Sequence, residues 1–356
     1  MDFEKLLKSE IVPINEELKR FMEEKKEHGK QYSKWHVEYY DNILEYLSRG
    51  GKRLRPTVFV HAYHAVGAKN KGNLYRAAIS VELLHNGSLL HDDLIDHDEF
   101  RRGGPTFHAK YRDWFKDNVD PKKAVDFGSE MGILGGDSLI NLGNEAISTS
   151  GFAPELLVKL HRYYSLAFNQ LIDGVFLETM MIWEPNVTVD TYIKMIEGKT
   201  ASLFEKSILM GATLGGASES QLEALSEYAI KTGEAFQIQD DILGTFGDIK
   251  VTGKPADGDI KEGKRTILVI RAYEKANDEQ KKILDTILGH REATPEQVEQ
   301  VREVFRQTGA LEFATELGKR LNKEAMEALD RAEPKIKDEY VEFFKALNDF
   351  MITRNF

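Results

Sequence analysis

Cysteine is missing from the chain altogether. That excludes disulfides, thiol chemistry and thiolate metal sites, and it suits a reducing cytoplasm. No window approaches the apolar length of a membrane span. The opening MDFEKLLKSEIVPINEELKR is charged throughout and lacks the apolar core of a secretory signal. Sustained period-two alternation, the mark of half-buried strands, is also lacking. Positive charge is in deficit: 48 Lys and Arg stand against 59 Asp and Glu, a net charge of −11. Wholesale binding to nucleic acid or an anionic membrane is therefore not expected, and local basic clusters become informative. The nine prolines are widely spaced and leave breaker-free runs from Thr57 to Gly104 and from Asn186 to Lys254.

What is present is helical. Apolar residues make up 41% of the chain, enough for a sizeable core. Ala77, Val81, Leu84, Ser88, Asp92 and Ile95 fall at steps of three and four, which is one face of a helix. The stretches TPEQ (Thr294 to Gln297) and SESQ (Ser218 to Gln221) read as capping boxes. Neither a repeat period nor a low-complexity linker marks a boundary. The spacing predicts one all-α domain over residues 1–356, a bundle of ten or more helices. Loops are expected near Gly50-Gly51, Gly103 to Pro105, Asp117 to Lys123, Gly215 to Ser218 and Gly247 to Gly258.

The chemistry gathers at the ends of two apolar helical runs. In DDLID, Asp92 and Asp96 lie about 40° apart on one helical face, where two carboxylates repel unless a cation sits between them. A hard divalent ion such as Mg²⁺ takes one or two carboxylates together with substrate phosphates. A calcium loop starting at Asp96 fails, because Phe100 stands at a ligand position. The same pattern returns in GEAFQIQDDILGTFGD, where Asp240 and Asp241 follow Gln237 by one turn. Basic residues beside glycines supply the other half: Lys52, Arg53 and Arg55 in GGKRLRP, Arg101 and Arg102 in FRRGGPT, Lys199 in EGKTA, and Lys254, Lys264 and Arg265 in TGKPADGDIKEGKRT. Such groups suit phosphate oxygens. GKT at Gly198 is not a P-loop, since Ile193 stands where that motif needs its first glycine. His85 lies two turns before Asp92 on the same face and is expected in a polar site. The substrate is expected to be a di- or polyphosphate, with metals acting on a phosphate leaving group.

Taken in order from Gly50 to Ile270, GGKRLRP, HDDLIDHDEFRRGGPT, ILGGD, NQLIDG, YIKMIEGKTASLF, GEAFQIQDDILGTFGD and DIKEGKRT make the chain resemble the trans-isoprenyl diphosphate synthases. These form the polyprenyl synthetase family, and the likeness is to archaeal-type geranylgeranyl and geranylfarnesyl diphosphate synthases. The resemblance implies long helices around a deep cavity, a homodimer in the cytoplasm, and about three Mg²⁺ per site, with Mn²⁺ as an alternative. It implies 1'-4 condensation of isopentenyl diphosphate with an allylic diphosphate (dimethylallyl, geranyl or farnesyl). It places Asp92, Asp96 and Asp240 as metal ligands, with Asp93 and Asp241 in support. Lys52, Arg55, His85 and Arg102 fall at positions that hold isopentenyl diphosphate. Arg101, Lys199, Lys254 and Lys264 fall at those for the allylic diphosphate, and Thr200 and Gln237 beside the forming cation.

Two departures stand out. Gly244 replaces a third aspartate of the second motif, and the segment between Thr106 and ILGGD is longer than in short-chain members. Leu84, Gly87 and Ser88 fall at the chain-length positions. Small residues at 87 and 88 imply a product beyond farnesyl diphosphate, namely geranylgeranyl (C20) or geranylfarnesyl (C25) diphosphate. The alternatives are a farnesyl or longer-chain synthase, or a non-catalytic subunit of a heteromeric synthase. A class I terpene cyclase is disfavoured by the aspartate pair at Asp240 and by GGKRLRP.

Overall fold

The structure, a computed structural model, describes residues 3–68, 73–247 and 256–352. Its regular elements are helices apart from one two-residue strand pair, as the patterning predicts. Among the described residues no helix is long and apolar enough to cross a membrane. The chain falls into two compact units, one of residues 2–164 and 210–216, the other of residues 165–209 and 217–356 with residue 1.

The first unit holds α1 (Phe3–Gly29), α2 (Lys34–Ser48), α3 (Leu54–Ala65), α4 (Leu74–Ile95), α5 (Phe107–Asn118) and α6 (Ala124–Ser148). Its core joins Ile14, Phe21, Tyr46, Leu83, Leu90, Phe107 and Leu139. α4 is buried on nearly all sides, so its sequence reads apolar and small rather than one-faced. Glycines set how closely it meets α6. A Cβ on Gly87 of α4 would lie 2.9 Å from the carbonyl oxygen of Gly136 on α6. Glycine costs about 1 kcal/mol in a helix relative to alanine, and here it admits backbone against backbone.

The second unit takes up α7 (Pro154–Met181) from residue 165 onward. It continues through α8 (Val189–Ile196), the start of α9 (Ser202–Gly215) and α10 (Glu219–Phe246). Then follow α11 (Gly258–Glu262), α12 (Ile267–Lys275), α13 (Asp278–Ile287), α14 (Pro295–Gln307), α15 (Ala310–Leu329) and α16 (Asp338–Ile352). The expected capping boxes start α10 at Ser218 and α14 at Thr294, and a third, at Asn277, starts α13. A π-turn over Glu197–Ala201 links α8 to α9. It is pressed onto α7: a Cβ on Gly174 would lie 2.1 Å from the Lys199 amide nitrogen. Thus NQLIDG and EGKTA are two sides of one helix crossing. π-turns of this kind are frequent at functional sites.

Candidate active site

In the first unit, α4 runs out at Ile95 with Asp96 as its cap, and Asp96 N donates to Asp92 O at 2.8 Å. Asp92 is partly exposed and Asp96 exposed, whereas Asp93 is fully buried. Asp93 accepts hydrogen bonds from Tyr46 Oη at 3.3 Å and from Arg101 Nε. Burial raises its pKa to about 6, with the Arg101 guanidinium pulling the other way. Asp93 is thus an anchor for Arg101, which also reaches Asp92 at 3.7 Å and Asp98 at 3.5 Å.

The strand pair Phe100–Arg101 and Gly104–Pro105 is a hairpin whose two turn residues, Arg102 and Gly103, both have positive φ, at 51° and 74°. Such turns match strand twist but normally select Asn, Asp or Gly. Arg102 accepts this rare backbone, and the hairpin sends the two arginines to different partners. Arg101 turns back onto the aspartates. Arg102 donates to Gly50 O at 3.1 Å and Asn86 Oδ1 at 3.2 Å.

Around Arg102 the first unit builds an anion pocket. Arg55 is half-buried, and its Nε has no hydrogen-bond partner. Burial pushes its pKa down to about 10, so it stays charged at neutral pH. The pKa of His85 lies well below the ordinary value, through burial and then the positive charges of Arg55, Arg102, Arg101 and Arg53. Arg55 and Arg102, with their charges felt at His85, suit a polyanion. Lys52 sits at the exposed rim. Arg53 belongs elsewhere: it is buried, with φ of 49°, and binds Glu82 at 2.6 Å, Asn15 at 2.9 Å and the Leu47 carbonyl. Glu82 in turn accepts from Asn86 Nδ2 at 2.9 Å. Sequence reasoning missed this Arg53–Glu82–Asn86–Arg102 chain, whose signal is a glutamate and an asparagine inside an apolar run.

In the second unit, Thr200 on the π-turn donates to Gln237 Oε1 at 2.8 Å, and Gln237 Nε2 donates to Asp241 Oδ1 at 3.0 Å. Tyr192 Oη donates to Asp241 Oδ2 at 2.7 Å. Asp241 is buried, which raises its pKa to about 7, helped by the charge of Asp259. Asp240 is half-buried. Lys199 pairs with Glu178 of α7 at 2.5 Å, and Lys264 lies 2.8 Å from Glu262 and 3.9 Å from Asp259. Glu178 lies outside the quoted motifs, and Tyr192 and Asp259, which open YIKMIEGKTASLF and DIKEGKRT, carried no assigned role there. Lys254 lies outside the described residues.

The chemistry of these donors fits Mg²⁺: all are hard oxygens on helix ends. Among the described residues no three His, Asp or Glu side chains form a ready-made metal cluster. A shell on Asp92 and Asp96, or on Asp240, would be completed by diphosphate oxygens and water, which is how Mg²⁺ is commonly held.

Gly87 packs against α6. A Cβ there would meet Ile140 Cγ1 at 2.8 Å as well as the Gly136 carbonyl, so the small residue serves helix packing. Leu84 is fully buried, while Ser88 is half-buried with its Oγ on the His85 carbonyl at 2.8 Å.

A family model described as polyprenyl synthetase matches residues 37–305. The chain belongs to the polyprenyl synthetase family. The match contains the motif run from Gly50 to Ile270 and extends beyond it on both sides. The chain is 37% identical to the geranylgeranyl diphosphate synthase of Saccharolobus solfataricus over 285 residues, 80% of each protein. It is 32% identical to the geranylfarnesyl diphosphate synthase of Aeropyrum pernix over 315 residues, 87% of this chain and 92% of that one. Among solved structures, a geranylgeranyl pyrophosphate synthase from Corynebacterium glutamicum, complexed with isoprenyl diphosphate and magnesium, is similar with a TM-score of 0.90. That match has 27% identity and covers 100% of both chains. The resemblance and the all-α expectation are borne out, and the chain is a prenyltransferase of a magnesium-dependent family.

Proposed function

We propose that the chain adds isopentenyl diphosphate head-to-tail to an allylic diphosphate, giving an all-trans C20–C25 product and pyrophosphate. The observation that carries this is the hairpin after α4. It sets Arg101 against the aspartates at one end and Arg102 in the His85–Arg55 anion pocket at the other. Two oppositely directed phosphate grips beside a carboxylate pair suit a two-diphosphate reaction. In this reading Lys52, Arg55, His85 and Arg102 bind the isopentenyl diphosphate. Arg101, Lys199, Lys254 and Lys264 bind the allylic one.

Asp92, Asp96 and Asp240 would hold Mg²⁺, about three ions per site and with Mn²⁺ as an alternative; the bound metal supplies stabilisation of the leaving pyrophosphate. Asp93 orients Arg101 through the hydrogen bond described above. Asp241, fixed by Tyr192, orients Gln237 and through it Thr200, whose oxygen dipoles face a developing carbocation without attacking it. Lys199 exchanges Glu178 for a diphosphate oxygen on binding.

Relatives that make geranylgeranyl and geranylfarnesyl diphosphate support the C20–C25 range, and Ser88 and Leu84 are the proposed length-setting positions. We also propose that all 356 residues serve one catalytic domain, that the chain works in the cytoplasm, and that it forms a homodimer. Ile172, Phe176 and Met180 of α7 fall at steps of four and are 47%, 65% and 49% exposed, an apolar stripe that a second copy would cover. Pyrophosphate release tests the reading. It should require an allylic diphosphate, isopentenyl diphosphate and Mg²⁺ together, and Asp92→Ala should abolish it. Release from the allylic diphosphate alone would point to a cyclase instead.

A further inference from the structure

α4 offers carboxylates one turn apart, at Asp92 and Asp96. α10 offers one at Asp240, and the residue one turn on is Gly244. Helical neighbours four apart share a face, so the side chain missing at 244 is the counterpart of Asp96. That place is taken. A Cβ on Gly244 would lie 2.7 Å from Oδ2 of Asp259, on α11.

Asp259 is held there by its backbone. Its carbonyl accepts from Lys264 N at 3.0 Å, the turn closes at Gly263 with φ of 71°, and the neighbouring Ile260 is 1% exposed in the core. Its side chain is 25% exposed. Lys264 lies 3.9 Å from it and nearer to Glu262, at 2.8 Å. Lys264, one of the groups assigned to the allylic diphosphate, is thus within reach of Asp259, and the charge of Asp259 is felt by Asp241.

We propose that Asp259 complements Asp240: a carboxylate delivered from α11 to the position that Gly244 leaves open, acting toward the metal that Asp240 would hold. The glycine and the aspartate are then one device. A side chain at 244 would expel the carboxylate of Asp259, and a neutral residue at 259 would remove the second carboxylate from this end of α10. This inference rests on the metal–diphosphate reading above.

The test is thermal melting of the full chain, titrated with MgCl₂ at fixed inorganic pyrophosphate, so that binding is read without turnover. The wild-type chain should melt higher as Mg²⁺ rises. Asp259→Asn, nearly isosteric, should fold as before but need at least about 10-fold more Mg²⁺ for half the shift, the scale seen when groups that support a metal's ligands are lost. Gly244→Asp alone should melt lower than wild type without ligand, because the new carboxylate meets Asp259. The double variant Gly244→Asp with Asp259→Gly should recover both the melting temperature and the Mg²⁺ requirement. An unchanged Mg²⁺ requirement in Asp259→Asn overturns the proposal, as does a double variant no better than Asp259→Gly alone. If the wild-type chain shows no Mg²⁺-dependent shift, the metal–diphosphate reading itself falls, and this inference with it.

Discussion

Replacing Gly87 separates packing from chain-length control. A Cβ at this position would lie 2.8 Å from Ile140 Cγ1, 2.9 Å from Gly136 O and 3.2 Å from Ile140 N. Two of these are backbone atoms of α6 and cannot rotate away. Ile140 is further fixed because its carbonyl accepts from Tyr164 Oη at 2.5 Å. Gly87→Ala gains about 1 kcal/mol of helix propensity and loses about 1–3 kcal/mol to overpacking. The net is a loss of roughly 1 kcal/mol, or about 3 °C in melting temperature for a unit of this size. Gly87→Phe has no rotamer that avoids α6 and should cost about 3 kcal/mol or more, lowering the melting temperature by roughly 6–12 °C. Ser88→Phe, at a half-buried position, should melt within a few degrees of wild type and shorten the product. Melting curves and chromatography of the dephosphorylated products read both effects. A Gly87→Phe enzyme that melts like wild type and makes a shorter product would refute the packing argument and return Gly87 to the tunnel.

Other expected outcomes follow from the same geometry. Arg53→Ala strands the buried Glu82 carboxylate and should cost about 3–5 kcal/mol in chemical denaturation, a loss of stability rather than a selective loss of one substrate. Arg55→Ala should raise KM for isopentenyl diphosphate about 10- to 100-fold, the worth of a charged hydrogen bond to phosphate, and leave KM for the allylic diphosphate near wild type. Asp93→Asn frees Arg101 and should do the reverse, raising the allylic KM more than the isopentenyl one, as steady-state titration of each substrate will show. His85 has a folded-state pKa below its ordinary 6.5, so the unfolded chain binds a proton that the folded chain refuses. Its contribution to stability is therefore present above 6.5 and lost as pH falls toward the folded value. His85→Gln should flatten the acid side of a melting-temperature profile.

The fold was largely legible because helix signals are local. Capping boxes at Ser218 and Thr294 depend on four residues each, and the face from Ala77 to Ile95 depends on one period. The motifs were legible for a related reason: carboxylates at Asp92 and Asp96 and at Asp240, and cations beside glycines, carry their chemistry in their spacing. What spacing could not give was the partner across the fold. Gly87 read as an absence of bulk, and only the position of α6 shows that the space is taken. Arg53 looked like Arg55 until burial assigned one to Glu82 and left the other with an unpartnered Nε. Gly174 and Gly198, in motifs apart in sequence, meet at one crossing. Asp259 stands at Gly244 from another helix, a contact that no local pattern encodes.

The most direct measurement is incorporation of labelled isopentenyl diphosphate into an allylic primer, followed by chromatography of the dephosphorylated products. The wild-type chain should give all-trans C20–C25 alcohols in a Mg²⁺-dependent manner, and Asp92→Ala none. No condensation product from the folded wild-type chain with Mg²⁺ and both diphosphates would contradict it, and farnesol as the sole final product would contradict the proposed chain length.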